Sequence, residues 1–96
     1  MTLPAIRPGE VLAELYLKPL ELSAGTLARK LNLPRTRIER LIKGQTGMSP
    51  DTALRLARYF GTSAQYWMNL QTNYELKVAE EEQGADILSI DPLEAA

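Results

Sequence analysis

Between Pro34 and Lys43 the chain sets Arg35, Thr36, Arg37, Arg40 and Lys43 among Ile38, Leu41 and Ile42. At helical spacing the three aliphatic residues turn inward, leaving the cationic residues, Thr36 and Glu39 outside. A guanidinium is a planar fork of donors that fits guanine O6 and N7, and each good bidentate pair discriminates by ~1–3 kcal/mol. The threonine methyl meets a thymine methyl, while its hydroxyl bonds a base or a phosphate. A helix entering the major groove presents its N-terminal residues to base edges. Arg35 and Thr36 hold those positions, and Arg40 follows about one turn later. Arg37 and Lys43 are better placed for phosphates. A basic helix face alone usually marks only a solvated surface, so the elements around it must decide.

Those elements are short and closely spaced. Ser23 is a good N-cap for a helix from about Ala24 to Leu31, and Pro34 opens the next, which Gly44 ends. Two short helices joined by a few turn residues pack steeply around one small contact. Leu27, Leu31, Leu33, Ile38 and Leu41 supply the apolar offsets, and Ala28 stands where the helices approach most closely. The turn favours a left-handed backbone, commonly provided by glycine. Asn32 occupies that position and tolerates the conformation better than most residues. The full set of offsets predicts a helix-turn-helix and makes the arginine face a DNA-reading one. Exposed amides near Ser23 and Ala24 would add a phosphate contact, because helix N-termini attract anions. Arg29, Lys30, Arg55 and Arg58 are either ordinary surface or part of the electrostatic footprint.

The remaining sequence reads as helices that carry this pair. A first helix is expected over Pro8 to Leu17, with Val11, Leu12, Leu15 and Tyr16 in one stripe and Pro19 as its stop. Gln45 to Met48 reads as a loop. Ser49-Pro50 begins a fourth helix that reaches Phe60 and closes at Gly61. Thr62 or Ser63 caps a fifth, running to about Glu82 with Trp67, Leu70, Gln71, Tyr74 and Val78 on one face, until Gly84 breaks it. Trp67 packs that helix onto the domain in preference to forming a ligand cage. Tyr66, Met68, Tyr74 and Leu76 are candidates for a dimer surface, since so apolar a helix exceeds what one small core covers. The expected fold class is all-α, with a five-helix domain over residues 1–82 and an acidic tail over residues 83–96.

Composition narrows the function classes. The 96 residues contain neither cysteine nor histidine. Disulfides are thereby excluded, a zinc site would rest on carboxylates alone, and the usual general base is missing. No nucleophile–base pair, metal-ligand cluster or phosphate-cradling glycine loop is visible, so neither an enzyme nor a cofactor is expected. No apolar run approaches the ~20 residues of a membrane span, and Met1 to Arg7 lacks the regions of a signal peptide. A cytoplasmic protein without a small-molecule ligand is the natural expectation. The net charge of −1 hides an asymmetry. Residues 18–60 carry nine basic groups against three acids, whereas residues 61–96 carry seven carboxylates against Lys77. Two surfaces with different partners are implied.

Several blocks carry a family resemblance. Arg7-Pro8-Gly9-Glu10, Leu33-Pro34-Arg35-Thr36-Arg37-Ile38, Asp51-Thr52-Ala53-Leu54-Arg55-Leu56-Ala57, Phe60-Gly61-Thr62-Ser63 and Tyr66-Trp67-Met68-Asn69-Leu70-Gln71 resemble the HigA antitoxins. The match covers about residues 6 to 76, and its last block is the specific part. The resemblance implies the lambda-repressor-like fold of Cro and cI. It also implies two activities: neutralising a HigB-like, ribosome-dependent mRNA endonuclease toxin, and repressing the toxin–antitoxin operon as a homodimer on a palindromic operator. Arg7 departs from the histidine often found before Pro-Gly. No motif extends past about Leu76, so toxin contacts stay unassigned. The tail, with Ile87, Leu88, Ile90 and Leu93 among acids, is either a solvated extension or a segment that docks on a second subunit or a basic toxin. The alternatives to an antitoxin are a stand-alone helix-turn-helix repressor and an adaptor that has lost DNA binding.

Overall fold

Five helices follow one another in the computed structural model, which describes residues 5–94. Residues 1–4, the greater part of the Met1–Arg7 segment expected not to be a signal peptide, and residues 95–96 of the expected tail lie outside the described residues. Helix α1 spans Pro8–Val11 and continues as a wider segment over Leu12–Leu17. Helices α2 (Ala24–Lys30), α3 (Arg35–Ile42), α4 (Pro50–Phe60) and α5 (Ala64–Leu88) complete the order.

The local signals act as their chemistry requires. Three serine hydroxyls accept the first free amides of their helices: Ser23 from Thr26, Ser49 from Thr52 and Ser63 from Tyr66, at 3.0 to 3.3 Å. Each such cap contributes about 1 kcal/mol. Gly44 and Gly61 take left-handed φ values of 75° and 72° beyond α3 and α4. The helix-turn-helix bend itself is made by Asn32, at φ 58°.

Three boundaries differ from expectation. Pro34 is the extended residue that precedes α3, and Arg35 is the first helical residue. The end of α1 widens to i→i+5 bonding, Lys18 N–H donating to the Ala13 carbonyl at 3.0 Å. Each wider turn rotates the following side chains. Leu12 and Leu17 therefore face the core, while Leu15, expected in the buried stripe, is 64% exposed. Helix α5 passes straight through Gly84 and ends at Leu88. One glycine costs a helix only about 1 kcal/mol relative to alanine, and Glu80 to Gln83 and Ala85 around it are mostly strong helix formers. Ser89 then closes the helix by donating its hydroxyl to the Asp86 carbonyl.

The core joins all five helices around Leu12, Leu27, Ile38, Leu56 and Trp67, each fully buried. Trp67 sits against Tyr16, Tyr66 and Phe60, with ring centroids at 4.9, 5.0 and 6.3 Å, and donates its indole N–H to Thr62 Oγ1 at 2.8 Å. Burial and the neighbouring Tyr66 hydroxyl, 3.2 Å away, push the Tyr16 phenol up to about 12. Gly9 brings α1 onto the back of α3. A Cβ there would collide with the Leu41 carbonyl, so only glycine permits this approach. The 25-residue α5 is about 37 Å long, and its last turns extend the molecule to 54 Å against 25 and 22 Å across. Among the described residues no helix is long and apolar enough to cross a membrane.

Candidate nucleic-acid interface

Helix α3 keeps Ile38 and Leu41 buried and Ile42 half-buried, which turns Arg35, Thr36, Arg37, Arg40 and Lys43 outward. These five candidates share one side of a helix whose inner side is anchored in the core. Arg35 lies along α3 and pairs with Glu39 at 3.3 Å, leaving its side chain 71% exposed. Its stem also covers the start of α2. A Cβ on Gly25 would stand 3.0 Å from Arg35 Cδ, so glycine makes room for the arginine. Ser23, Thr26, Arg29 and Arg35 line one shallow cleft there. The Ser23 hydroxyl is engaged by Thr26, and Ala24 is half-buried behind it.

A second cleft, of about 550 Å³, lies along α3 on its other flank. Thr36, Arg37 and Arg40 form one wall, and Thr46, Gly47 and Ser49 of the following loop form the other. The helix and loop thus present one continuous polar groove. Arg37 is not free within it: its Nη1 meets Asp51 Oδ2 at 2.8 Å. Lys43, just beyond the last turn of α3, is exposed.

Asp51 is the hub of a second arrangement. It accepts from Arg55 Nε at 3.0 Å, and Arg55 Nη1 then donates to the Leu31 carbonyl at 2.8 Å. Arg55 also reaches the Asn32 carbonyl at 3.3 Å. The hydrogen bonds from Arg55, with Arg37 adding to them, hold the Asp51 carboxyl below its ordinary value of 3.8. Arg55, read from sequence as surface or footprint, is a brace for the helix-turn-helix bend. Arg29 bonds Thr26 Oγ1 at 3.2 Å, and Lys30 and Arg58 are exposed.

The candidate dimer residues on α5 fall into different settings. Tyr66 and Met68 are half-buried and packed against the core, and Tyr66 accepts a bond from Tyr16. Tyr74 is half-buried beneath Arg7, whose guanidinium carbon stands 6.0 Å from the ring centroid. Leu76 is 58% exposed. Sequence reasoning missed Met48, buried in the expected loop, and the bond that Gln71, already placed on one face of α5, accepts from the Met48 amide. An apolar residue just before the Ser49 cap was the available signal for Met48.

Two short helices joined through a left-handed Asn32, braced at the bend by Arg55 and arginine-studded on the outer one, define a helix-turn-helix module of repressor type. The helix-turn-helix family model matches residues 14–67. A curated relative from Dichelobacter nodosus, virulence-associated protein I, is 54% identical over 80 residues, spanning 83% of this chain and 74% of that one. The Pseudomonas aeruginosa antitoxin HigA, solved with the higBA promoter, superposes with a TM-score of 0.88 at 42% identity, covering 94% of this chain and 99% of that one. An addiction module antidote protein of a HigA family from Coxiella burnetii gives 0.89 at 38% identity, covering 95% and 100%. The chain belongs to the helix-turn-helix family and, within it, to the group of HigA antitoxins.

Proposed function

We propose that this chain is the antitoxin of a type II toxin–antitoxin pair, a binding protein without catalytic activity. As a homodimer it represses its own operon at a palindromic operator, and it neutralises a basic, HigB-like mRNA endonuclease. The observation that carries this reading is the outward row Arg35, Thr36 and Arg40 beside the Thr46–Ser49 loop, in a chain 42% identical to an antitoxin solved with a promoter. Arg35, Thr36 and Arg40 read bases; Arg37 and Lys43 contact phosphates, as do the amides near Ser23 and Ala24. A symmetric dimer sets its recognition helices about 34 Å apart, one turn of DNA. Leu76 and the remaining surface of Tyr66, Met68 and Tyr74 are the dimer candidates. The working location is the cytoplasm, and no cofactor is needed. Residues 1–82 form the domain, with α5 continuing into the acidic segment from residue 83.

The test selects duplexes from a random DNA pool with the purified chain, sequences them, and co-expresses the product of the neighbouring reading frame. An inverted-repeat consensus together with co-purification of a basic partner supports the reading. A consensus without a partner replaces it with a stand-alone repressor, and no selected sequence overturns it.

A further inference from the structure

The loop between α3 and α4 is a thin wall with a cleft on each side. Thr46 and Gly47 line the outer groove with Thr36, Arg37 and Arg40. The same two residues line an inner cleft whose other side is Gln71 and Tyr74 of α5. Gln71 presses on the wall from behind. Its Oε1 accepts the Met48 amide at 2.6 Å, and it is 91% buried. A Cβ on Gly47 would stand 2.9 Å from both ends of its amide, so the loop backbone lies flat against this side chain.

The amide has a polarity that something must hold. Met48 N–H only donates, so the oxygen of Gln71 must face the loop. The nitrogen then faces outward, where it donates to Glu75 Oε1 at 2.9 Å. A carboxylate only accepts, so Glu75 keeps the amide from turning over. A turned amide would put its NH2 against the Met48 N–H and leave a buried donor unpaired.

We infer that Gln71, oriented by Glu75, is a positioning pair for operator recognition, fixing the Thr46–Gly47 wall so that it completes the groove beside Thr36 and Arg40. The pair touches no DNA and acts through the loop. This inference rests on the DNA-binding reading above, and its test separates the two.

The probe is the duplex that the wild-type chain selects from the random pool. Binding is measured at a temperature where each variant is fully folded by circular dichroism. Gln71→Glu sets two carboxylates face to face and is expected to weaken binding about tenfold, the scale of one lost hydrogen bond. Glu75→Gln still offers an acceptor to Gln71 but can also donate, so it no longer bars the turned amide, and a loss of about twofold is expected. The exchanged pair, Gln71→Glu with Glu75→Gln, restores both bonds and should recover affinity to within about threefold. Adding Thr46→Ala to Gln71→Glu should cost less than Thr46→Ala alone, because the wall is already displaced. If Gln71→Glu does not fold, the exposed Glu75→Leu substitution takes its place, with faster hydrogen exchange at the Met48 amide and about threefold weaker binding expected. Undiminished binding by Gln71→Glu, or by Glu75→Leu where it is needed, overturns the pair, as does failure of the exchange to restore affinity. If the wild type selects no duplex at all, the DNA-binding reading falls instead.

Discussion

Arg55 and Leu31 are 24 residues apart, yet the guanidinium of one caps the carbonyl of the other at 2.8 Å. That carbonyl lies at the end of α2, where helix geometry leaves it without an intrahelical partner. A side chain from α4 therefore completes the bend that aims α3. The same guanidinium is held by Asp51, which also takes Arg37 from the outer face of α3. One carboxylate links the recognition helix to the brace behind it.

Removing the brace should loosen the bend. Arg55→Ala is expected to cost about 1 kcal/mol of stability, the net value of a typical hydrogen bond. For a chain of this size that lowers Tm by roughly 4–8 °C. Arg55→Lys should recover little of it, since one ammonium lacks the fork that spans Asp51 and two carbonyls. Calorimetry of the three proteins checks this, and a lysine variant as stable as wild type would disprove the brace.

Asp51 gives the brace a pH dependence of definite sign. Its carboxyl is held below 3.8 in the fold, mainly by the Arg55 hydrogen bonds. The unfolded chain takes up that proton first as pH falls, so the contribution is complete above the unfolded value and is lost below about pH 4. Melting curves across this range should show a shallower acid limb for Asp51→Asn than for wild type. Parallel limbs would show that Asp51 does not contribute.

On the proposed DNA-binding reading, Arg35 and Arg40 should behave differently from Lys43. Arg35→Ala and Arg40→Ala should each cost ~1–3 kcal/mol of operator affinity and relax the preference for one base pair. Lys43→Ala should weaken all duplexes alike and reduce the salt slope by about one unit. Glu39 pairs with Arg35 at 3.3 Å in the free protein, so Glu39→Gln should bind operator more tightly, by up to about fivefold for an exposed pair. Titrations at several salt concentrations give all three results. Retained specificity in the Arg35→Ala/Arg40→Ala double variant would relocate the reading surface.

Trp67 carries the docking of α5. Its ring is fully buried among Tyr16, Phe60 and Tyr66. Trp67→Ala should therefore cost about 3–5 kcal/mol and leave little folded protein at 37 °C. Trp67→Phe retains most of the packing but loses the Thr62 bond, and should fall between. Chemical denaturation orders the three proteins. Near-wild-type stability for the alanine variant would mean that α5 is held by other contacts.

Much of this protein is legible in the chain alone. The serine caps, Gly44, Gly61 and Asn32 locate most helix ends because capping and left-handed geometry are decided within a few residues. The apolar offsets from Leu27 to Leu41 identify the helix-turn-helix for the same reason. They also turn Arg35, Thr36 and Arg40 outward, since a helix with one buried face has only one other. Tertiary structure decided what those local rules do not reach. The widened end of α1 exposes Leu15, a choice made by packing, and α5 runs through Gly84 because its neighbours outweigh one weak residue. Arg55 became a brace, Arg37 a partner of Asp51, and Gln71 the support of a loop 23 residues away. Each of those roles depends on a distance between helices that are remote in sequence, and no spacing along the chain encodes it.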